Sequence, residues 1–138
     1  MEKFLVTTKE KRAVVDITSD VEDLLREINA ENGLCHLFVG HTTAALTTAD
    51  LDPGTDLDML DAFEAMVPKL EYRHEHNPEH VPDHIMASII GSSVTIPVRD
   101  GLFSLGRWQR IVMVEFNGPE NRDVYMSFIP ESDGEAGI

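Results

Sequence analysis

The spacing of apolar residues limits the fold of this sequence more than any other feature. From Ser92 onward the pattern is that of β-strands, because apolar residues alternate or form runs of strand length. The segments concerned are 94–98, 108–116 and 124–129. Near the N-terminus, segments 4–8 and 13–17 have the same character, and the charged residues 9–12 between them predict a hairpin. The chain should therefore begin and end in β-structure.

Helical spacing is found between these β segments. Ser19 with Glu22 three positions later makes a capping box, so a first helix should begin there and stop at Asn32-Gly33. Buried strands should follow at 34–39 and 44–49. Thr55 can cap a second helix that Pro68 ends. Its inward residues should be Leu57, Leu60, Phe63 and Val67.

A third helix should open at Pro82 and end at Gly91. Strands at both ends with helices between them favour an α+β fold. Two packed sheets, with helices on one side, are the expected arrangement.

Length and charge restrict the function classes. The chain has 138 residues, enough for one domain, which we place at 1–130, followed by a flexible acidic tail at 131–138. A net charge of −14 repels nucleic acid and anionic membrane surfaces, although clustered arginines or a cation can reverse the field locally. Cys35, the single cysteine, lies in an apolar run and should be buried. We found no signal peptide or membrane span, so the expected location is cytoplasmic.

The middle of the chain is rich in histidine. His74, His76, His80 and His84 lie within eleven positions, beside Arg73. Imidazole is a common metal ligand and the natural acid or base near neutral pH. A small-molecule or metal site is therefore indicated, and a polar surface loop with idle histidines is the alternative.

Two further polar residues stand at the ends of buried strands. His41 follows strand 34–39 on the face of Leu37 and Val39, where cavities often open, and Thr42 comes next. The alternative is a core histidine whose hydrogen bonds are all made within the protein. Glu115 shares a face with apolar residues of a buried strand, so either that strand end is exposed or the carboxylate meets a cation, an arginine or a metal-bound histidine.

The glycine-bounded segment 101–109 combines a cation, an indole and an amide, in Arg107, Trp108 and Gln109. It could hold an anion or stack on an aromatic ring. A strand follows it, so it is not a phosphate-binding loop of the strand, glycine-rich loop and helix type.

Taken in order, these motifs resemble the YjbQ family, also called secondary thiamine-phosphate synthases, over nearly the whole chain. The motifs are His41-Thr42-Thr43-Ala44, Asp52-Pro53, Tyr72-Arg73-His74, Asp83-His84-Ile85-Met86-Ala87-Ser88, Gly91-Ser92-Ser93, Ile96-Pro97-Val98, Gly101-Leu102-Phe103-Ser104-Leu105-Gly106-Arg107-Trp108-Gln109 and Glu115. Two positions depart from the family. Arg107 stands where threonine is more frequent, and segment 118–123 has fewer arginines.

The resemblance implies a β-sandwich with flanking helices that assembles as a homotrimer. It also implies a secondary transferase activity that joins a pyrimidine diphosphate to a thiazole phosphate. The catalytic candidates are His41, His74, His84 and Glu115, and the ligand contacts Thr42, Arg73, Arg107, Trp108 and Gln109.

A divalent metal is the expected cofactor if one is bound. Three histidines, His41, His74 and His84, would suit zinc, whereas magnesium with a diphosphate would prefer carboxylates such as Asp52 or Asp56. The alternative function is a homotrimer that binds a metal or small ligand without turnover.

Overall fold

The computed structural model describes residues 1–74 and 76–132. Within these ranges it has eight strands, three α-helices and one short 3-10 turn. They are β1 (Glu2–Thr7), β2 (Ala13–Asp16), α1 (Thr18–Glu27), β3 (Gly33–Val39), β4 (Ala44–Ala49), α2 (Thr55–Met66), the turn Pro78–His80, α3 (Val81–Ile90), β5 (Ser93–Arg99), β6 (Leu102–Phe103), β7 (Arg110–Glu115) and β8 (Asn121–Pro130). The predicted α+β class is confirmed.

The strands form two antiparallel sheets. The larger has the order β1-β8-β3-β5-β6, and the smaller has the order β2-β7-β4. The predicted hairpin of the first two strands is wrong, because β1 pairs with β8 and β2 pairs with β7. The connector 9–12 lacks the Gly or Asn that a tight hairpin turn needs, and it carries the chain from one sheet to the other.

Two apolar clusters form the core. The first lies between the sheets, where Leu37 and Val124 of the larger sheet meet Leu46 and Met113 of the smaller one, together with α1. Cys35 is fully buried in this cluster, and burial raises the pKa of its thiol to about 12. The second cluster fills the opposite face of the smaller sheet, which α2 and α3 cover. The smaller sheet is thus enclosed on both faces.

The helix ends differ in detail from those predicted. Ser19 does not cap α1, which begins at Thr18; the Asp16 carboxylate instead accepts hydrogen bonds from the Thr18 N–H at 3.0 Å and hydroxyl at 2.6 Å. Thr55 is the first residue of α2 rather than its cap, and Gly54 with φ of 91° precedes it. Leu57, predicted to face inward, is 63 % exposed.

The other predicted inward residues, which are Leu60 and Phe63 of α2 and Val67 directly after it, pack in the second cluster. Helix α3 has Pro82 in its first turn and Gly91 after its last residue, as predicted. Residues 133–138 of the predicted tail lie outside the described residues. No helix in the described part of the chain is long and apolar enough to cross a membrane.

Candidate functional site

A cavity of about 460 Å³ opens where β3 leads into β4, beside α3. Its lining is His41, Thr42, Ala44, His84, Ala87, Ser88, Gly91 and Ser92. The chain leaves β3 at Val39 and enters β4 at Ala44, so His41 and Thr42 lie in the connection between them. Helix α3 packs on β4 and brings His84 to the same place. Two of the three predicted site histidines, His41 and His84, therefore share one cavity, which we call the histidine cavity.

A backbone group of β8 fixes the His41 ring. Its Nε2 accepts a hydrogen bond from the Asp123 N–H at 3.1 Å. A backbone N–H can only donate, so Nε2 must carry the lone pair. In the neutral ring the hydrogen is then on Nδ1. His41 thus offers an N–H donor at its other nitrogen.

The His84 ring has the opposite arrangement. Its Nδ1 lies 3.3 Å from the carbonyl oxygen of Thr42, which can only accept. The hydrogen of the neutral ring is therefore on Nδ1, and Nε2 keeps a lone pair. His84 thus offers an acceptor, or a base, within the cavity that His41 also lines.

His74 covers one face of His84 and does not itself line the cavity. The two rings stack with centroids 5.4 Å apart and planes 10° apart. The Nδ1 of His74 accepts hydrogen bonds from the N–H groups of His76 at 3.2 Å and Asn77 at 3.1 Å. The segment before α3 thereby holds His74 against His84.

This hydrogen bonding does not fit a zinc site made by three histidines. A metal ligand needs a lone pair directed at the ion, and the rings of His41 and His74 already direct one lone pair each at backbone N–H groups. Of the three, His84 is the one whose ring keeps a lone pair that accepts no hydrogen bond from the described residues. Among residues 1–74 and 76–132, no group of three or more His, Cys, Asp or Glu could hold a metal ion.

Glu115 lies in a buried ion pair rather than in the cavity lining. It is fully buried, and Arg122 donates to both of its oxygens, through Nε at 2.9 Å and through Nη2. The Thr8 hydroxyl at 2.8 Å and the Asn117 N–H at 3.1 Å complete its partners. Burial alone would raise the pKa of this carboxyl, but the hydrogen bonds from Arg122, Thr8 and Asn117 lower it below its ordinary value. Of the alternatives considered for Glu115, the structure shows the arginine.

Arg107 and Trp108 lie at the other end of the smaller sheet. They line a second cavity of about 370 Å³ with Asp16, Asp50, Leu51, Asp52, Pro53 and Arg110. The Arg107 guanidinium lies 4.7 Å from the centre of the Trp108 ring. Ala44 and Ala49 mark the two ends of β4, and five residues of strand span roughly 17 Å. Within one chain, the indole is therefore well separated from the histidines.

The two other predicted ligand contacts also lie outside the histidine cavity. Gln109 accepts a hydrogen bond from the Gly106 N–H at 2.7 Å and donates one to the Thr48 hydroxyl at 3.3 Å, so it braces its own turn. Arg73 is exposed, next to His74. Trp108 and Gln109 belong to the turn before β7, although the predicted strand began at 108.

Sequence reasoning named Thr42 but missed the partner of Glu115 and the two serine hydroxyls of the cavity, those of Ser88 and Ser92. Arg122 lies in β8, the next strand after the one that Glu115 ends, but only the sheet pairing brings it inward. Ser88 lies one helical turn after His84, and this i, i+4 spacing could have indicated a shared face.

Comparison with known proteins decides the family. The model of the family described as UPF0047 protein YjbQ-like matches residues 2–131. The chain belongs to the YjbQ-like family. It is 37 % identical over 125 residues to the UPF0047 protein of Archaeoglobus fulgidus, covering 90 % of this chain and 96 % of that one. It is also 37 % identical over 115 residues to the UPF0047 protein YjbQ of Salmonella typhimurium, covering 80 % and 83 %.

Solved structures of the YjbQ-like family have the same fold. A YbjQ-like protein of unknown function from Sulfolobus solfataricus superposes with a TM-score of 0.88 at 30 % identity, covering 94 % of this chain and 96 % of that one. A hypothetical protein from Aeropyrum pernix gives 0.86 at 35 % identity, covering 94 % and 98 %. The arrangement of two antiparallel sheets and three helices is therefore that of the family.

Proposed function

We propose that the histidine cavity binds a small phosphorylated molecule. The observation that carries this proposal is the placement of two histidines with fixed rings, His41 and His84, on one open cavity. Ring N–H groups and hydroxyls suit phosphate oxygens, and the cavity has Thr42, Ser88 and Ser92 besides the His41 N–H. In a chain of net charge −14, such local donors are what an anion requires.

The specific activity we propose is secondary thiamine-phosphate synthase chemistry at this cavity. The bond between the pyrimidine methylene carbon and its diphosphate oxygen would break, and a bond from that carbon to the thiazole nitrogen would form. Negative charge develops on the departing diphosphate, so fixed N–H donors aimed at its oxygens would lower the barrier. His41 is the residue we assign to that contact.

Binding without turnover is the second candidate, and one observation favours it. Transfer of a pyrimidine needs a wall for the ring as well as donors for the diphosphate. Trp108, whose segment could stack on an aromatic ring, lines the other cavity. A chain that binds only the phosphorylated molecule would not need both cavities.

We also propose that the protein works as a homotrimer. The larger sheet has an outer face that the described residues leave open, and large apolar side chains lie on it. Monomeric soluble proteins rarely expose many large apolar side chains on one face, so this face favours a contact between subunits.

Calorimetry with inorganic phosphate, followed by turnover assays with the two thiamine precursors, tests the proposal. We expect phosphate to bind the wild-type chain, and His41→Gln to weaken that binding about tenfold or more through loss of the ring donor. His36→Gln is the matched control, since His36 lies on the larger sheet with its Nδ1 2.9 Å from the Thr95 hydroxyl. Binding without turnover would leave the second candidate, and absence of both would overturn the proposal.

The Arg107→Ala variant tests whether one ligand contacts both cavities. If a ligand spans from one to the other, this variant loses affinity for the precursors while its affinity for inorganic phosphate stays unchanged. If the histidine cavity acts alone, both affinities stay as in the wild type.

A further inference from the structure

We infer that the histidine cavity selects an oxyanion that still carries a hydroxyl group over one with acceptor oxygens only. The inference rests on the proposed phosphate binding and adds the hydrogen-bonding form of the ligand. It comes from the unequal rings of His41 and His84, one a donor and the other an acceptor toward a bound molecule.

The donor side is His41. Its Nε2 is engaged by the Asp123 N–H, so its hydrogen is on Nδ1. Turning the ring over would put the Cε1 carbon where Nε2 stands and break the hydrogen bond to β8. An anion oxygen is the natural partner of this N–H.

The acceptor side is His84. Its Nδ1–H is directed at the Thr42 carbonyl, so Nε2 carries the lone pair. The stacked His74 ring lies against its face, and two backbone N–H groups in turn hold His74. The orientation of His84 is therefore supported from two sides. Only a group that donates a hydrogen can pair with its Nε2.

Hydrogenphosphate and sulfate differ in this one respect. Above neutral pH both are tetrahedral dianions, but hydrogenphosphate retains a P–OH and sulfate has none. Hydrogenphosphate can accept from His41 and donate to His84. Sulfate would direct an oxygen lone pair at the His84 lone pair, and such an unmatched acceptor in a binding site costs affinity.

Calorimetry at about pH 8, where both anions are mainly dianions, tests this selection with inorganic phosphate and sulfate as probes. We expect phosphate to bind the wild-type chain at least about tenfold more tightly than sulfate. In His84→Ala the acceptor is gone, and the two affinities should lie within about twofold of each other. His84→Gln is the second variant, because its amide can donate to either anion and should also remove the preference.

His76→Gln serves as the control, since His76 belongs to the same histidine-rich segment, is exposed and does not line the cavity. It should keep the wild-type preference. Equal binding of both anions by the wild-type chain would overturn the inference and leave the proposed function standing. Failure of the wild-type chain to bind either anion would overturn the proposed function and the inference with it.

Discussion

Glu115 and Asp83 are both buried carboxylates, and their surroundings move their pKa values in opposite directions. Four hydrogen-bond donors surround Glu115 and lower its pKa against the effect of burial. Asp83 has one close cation, the Arg12 Nη2 at 3.1 Å, and its second oxygen has no partner among the described residues. Burial raises the pKa of Asp83, and the charges of Arg12, Lys11 and the nearby histidines offset this only in part.

We predict that Glu115→Gln lowers the free energy of unfolding by about 3 kcal/mol or more at neutral pH, because it leaves the Arg122 charge buried without a counter-ion. A denaturant titration measures the effect. Glu27→Gln, at an exposed position of α1, is the matched control and should change stability by less than about 0.5 kcal/mol. Equal stability of the two variants would contradict the assigned role of the ion pair.

The lowered pKa of Glu115 predicts that the fold loses part of its stability in acid. Folding lowers the pKa of Glu115 below its ordinary value of 4.5. The contribution of this carboxylate to the free energy of unfolding is therefore fully present above pH 4.5. It is lost as the pH falls through the lower pKa of the folded state. Between about pH 5 and pH 3, unfolding free energy should therefore fall more steeply in the wild type than in Glu115→Gln. Parallel curves would be inconsistent with this account.

For single residues, the sequence predicts where the site histidines lie better than it predicts which hydrogen bonds they make. His41 was expected at a strand end facing a cavity, and it lies there with His84. Which nitrogen of each ring is free depends on the Asp123 N–H and the Thr42 carbonyl, which only the folded backbone brings into place. For the same reason Arg122 could not be assigned to Glu115 from sequence spacing.

At the scale of elements, Arg12 connects the β1–β2 connector to α3, the helix that carries His84. Its side chain bonds to Asp83 and lies 3.8 Å from the Met86 sulfur. We predict that Arg12→Met destabilises the protein by about 2–4 kcal/mol at pH 7, since the Asp83 charge would be buried alone. Hydrogen exchange in α3 should become faster in this variant.

The loss of stability in Arg12→Met should change with pH in a direction that the pKa of Asp83 sets. Burial already raises the pKa of Asp83 above 3.8, and removal of the cation raises it further. As the pH falls toward this raised pKa, the folded variant can take up a proton on Asp83, so the loss of stability should be smaller at acid pH and should grow as the pH rises. In Arg12→Met/Asp83→Asn the loss should be nearly independent of pH, and a loss that still grows with pH would assign the effect to another group.

A close approach of backbone segments requires glycine at 118. A Cβ added there would lie 2.1 Å from the carbonyl oxygen of Glu10 and 2.8 Å from the Thr8 hydroxyl. We predict that Gly118→Ala lowers the melting temperature through a cost of about 2–3 kcal/mol. Gly54→Ala is a useful contrast, because nothing lies within 4 Å of its added Cβ and only its φ of 91° opposes the change. A larger loss in Gly54→Ala than in Gly118→Ala would show that close packing at 118 is not the greater constraint.

The elements themselves were largely predictable, and their pairing was not. Alternation identified the strands from 94 to 129, and Pro82 and Gly91 bounded α3 correctly. The wrong hairpin came from treating neighbours in sequence as partners in a sheet. Each of the two strands has apolar residues for the same core, and they reach it from opposite sheets by pairing with β8 and β7.

At the scale of the whole molecule, the two cavities lie at opposite ends of the β4–β7 pair. Within one chain this separates Trp108 from the histidines, a separation that motif order in the sequence could not reveal. The smaller sheet is covered by helices on one face and by the larger sheet on the other. None of the described residues, 1–74 and 76–132, covers the outer face of the larger sheet.

That open face carries apolar side chains toward both ends of β3, with His36 between them. Leu34 pairs with Pro97 on one side and with Ile129 on the other, and Phe38 pairs with Tyr125 in the same strands. Leu34 is 43 % exposed, Phe38 42 % and Ile129 54 %. Contiguous exposed apolar patches on soluble proteins commonly mark interfaces. We therefore place the contact of the proposed homotrimer here.

Phe38→Lys tests this contact, because a charge on this face would have to be buried on assembly. We expect light scattering to show a trimer for the wild type at micromolar concentration and a smaller species for Phe38→Lys. Leu57→Lys is the matched control, since Leu57 is also a large exposed apolar residue but lies on α2, away from the larger sheet. It should remain trimeric. A wild-type monomer would exclude the homotrimer, whereas a trimer that survives Phe38→Lys and dissociates in Leu57→Lys would move the contact to the helical side, where the histidine cavity also lies.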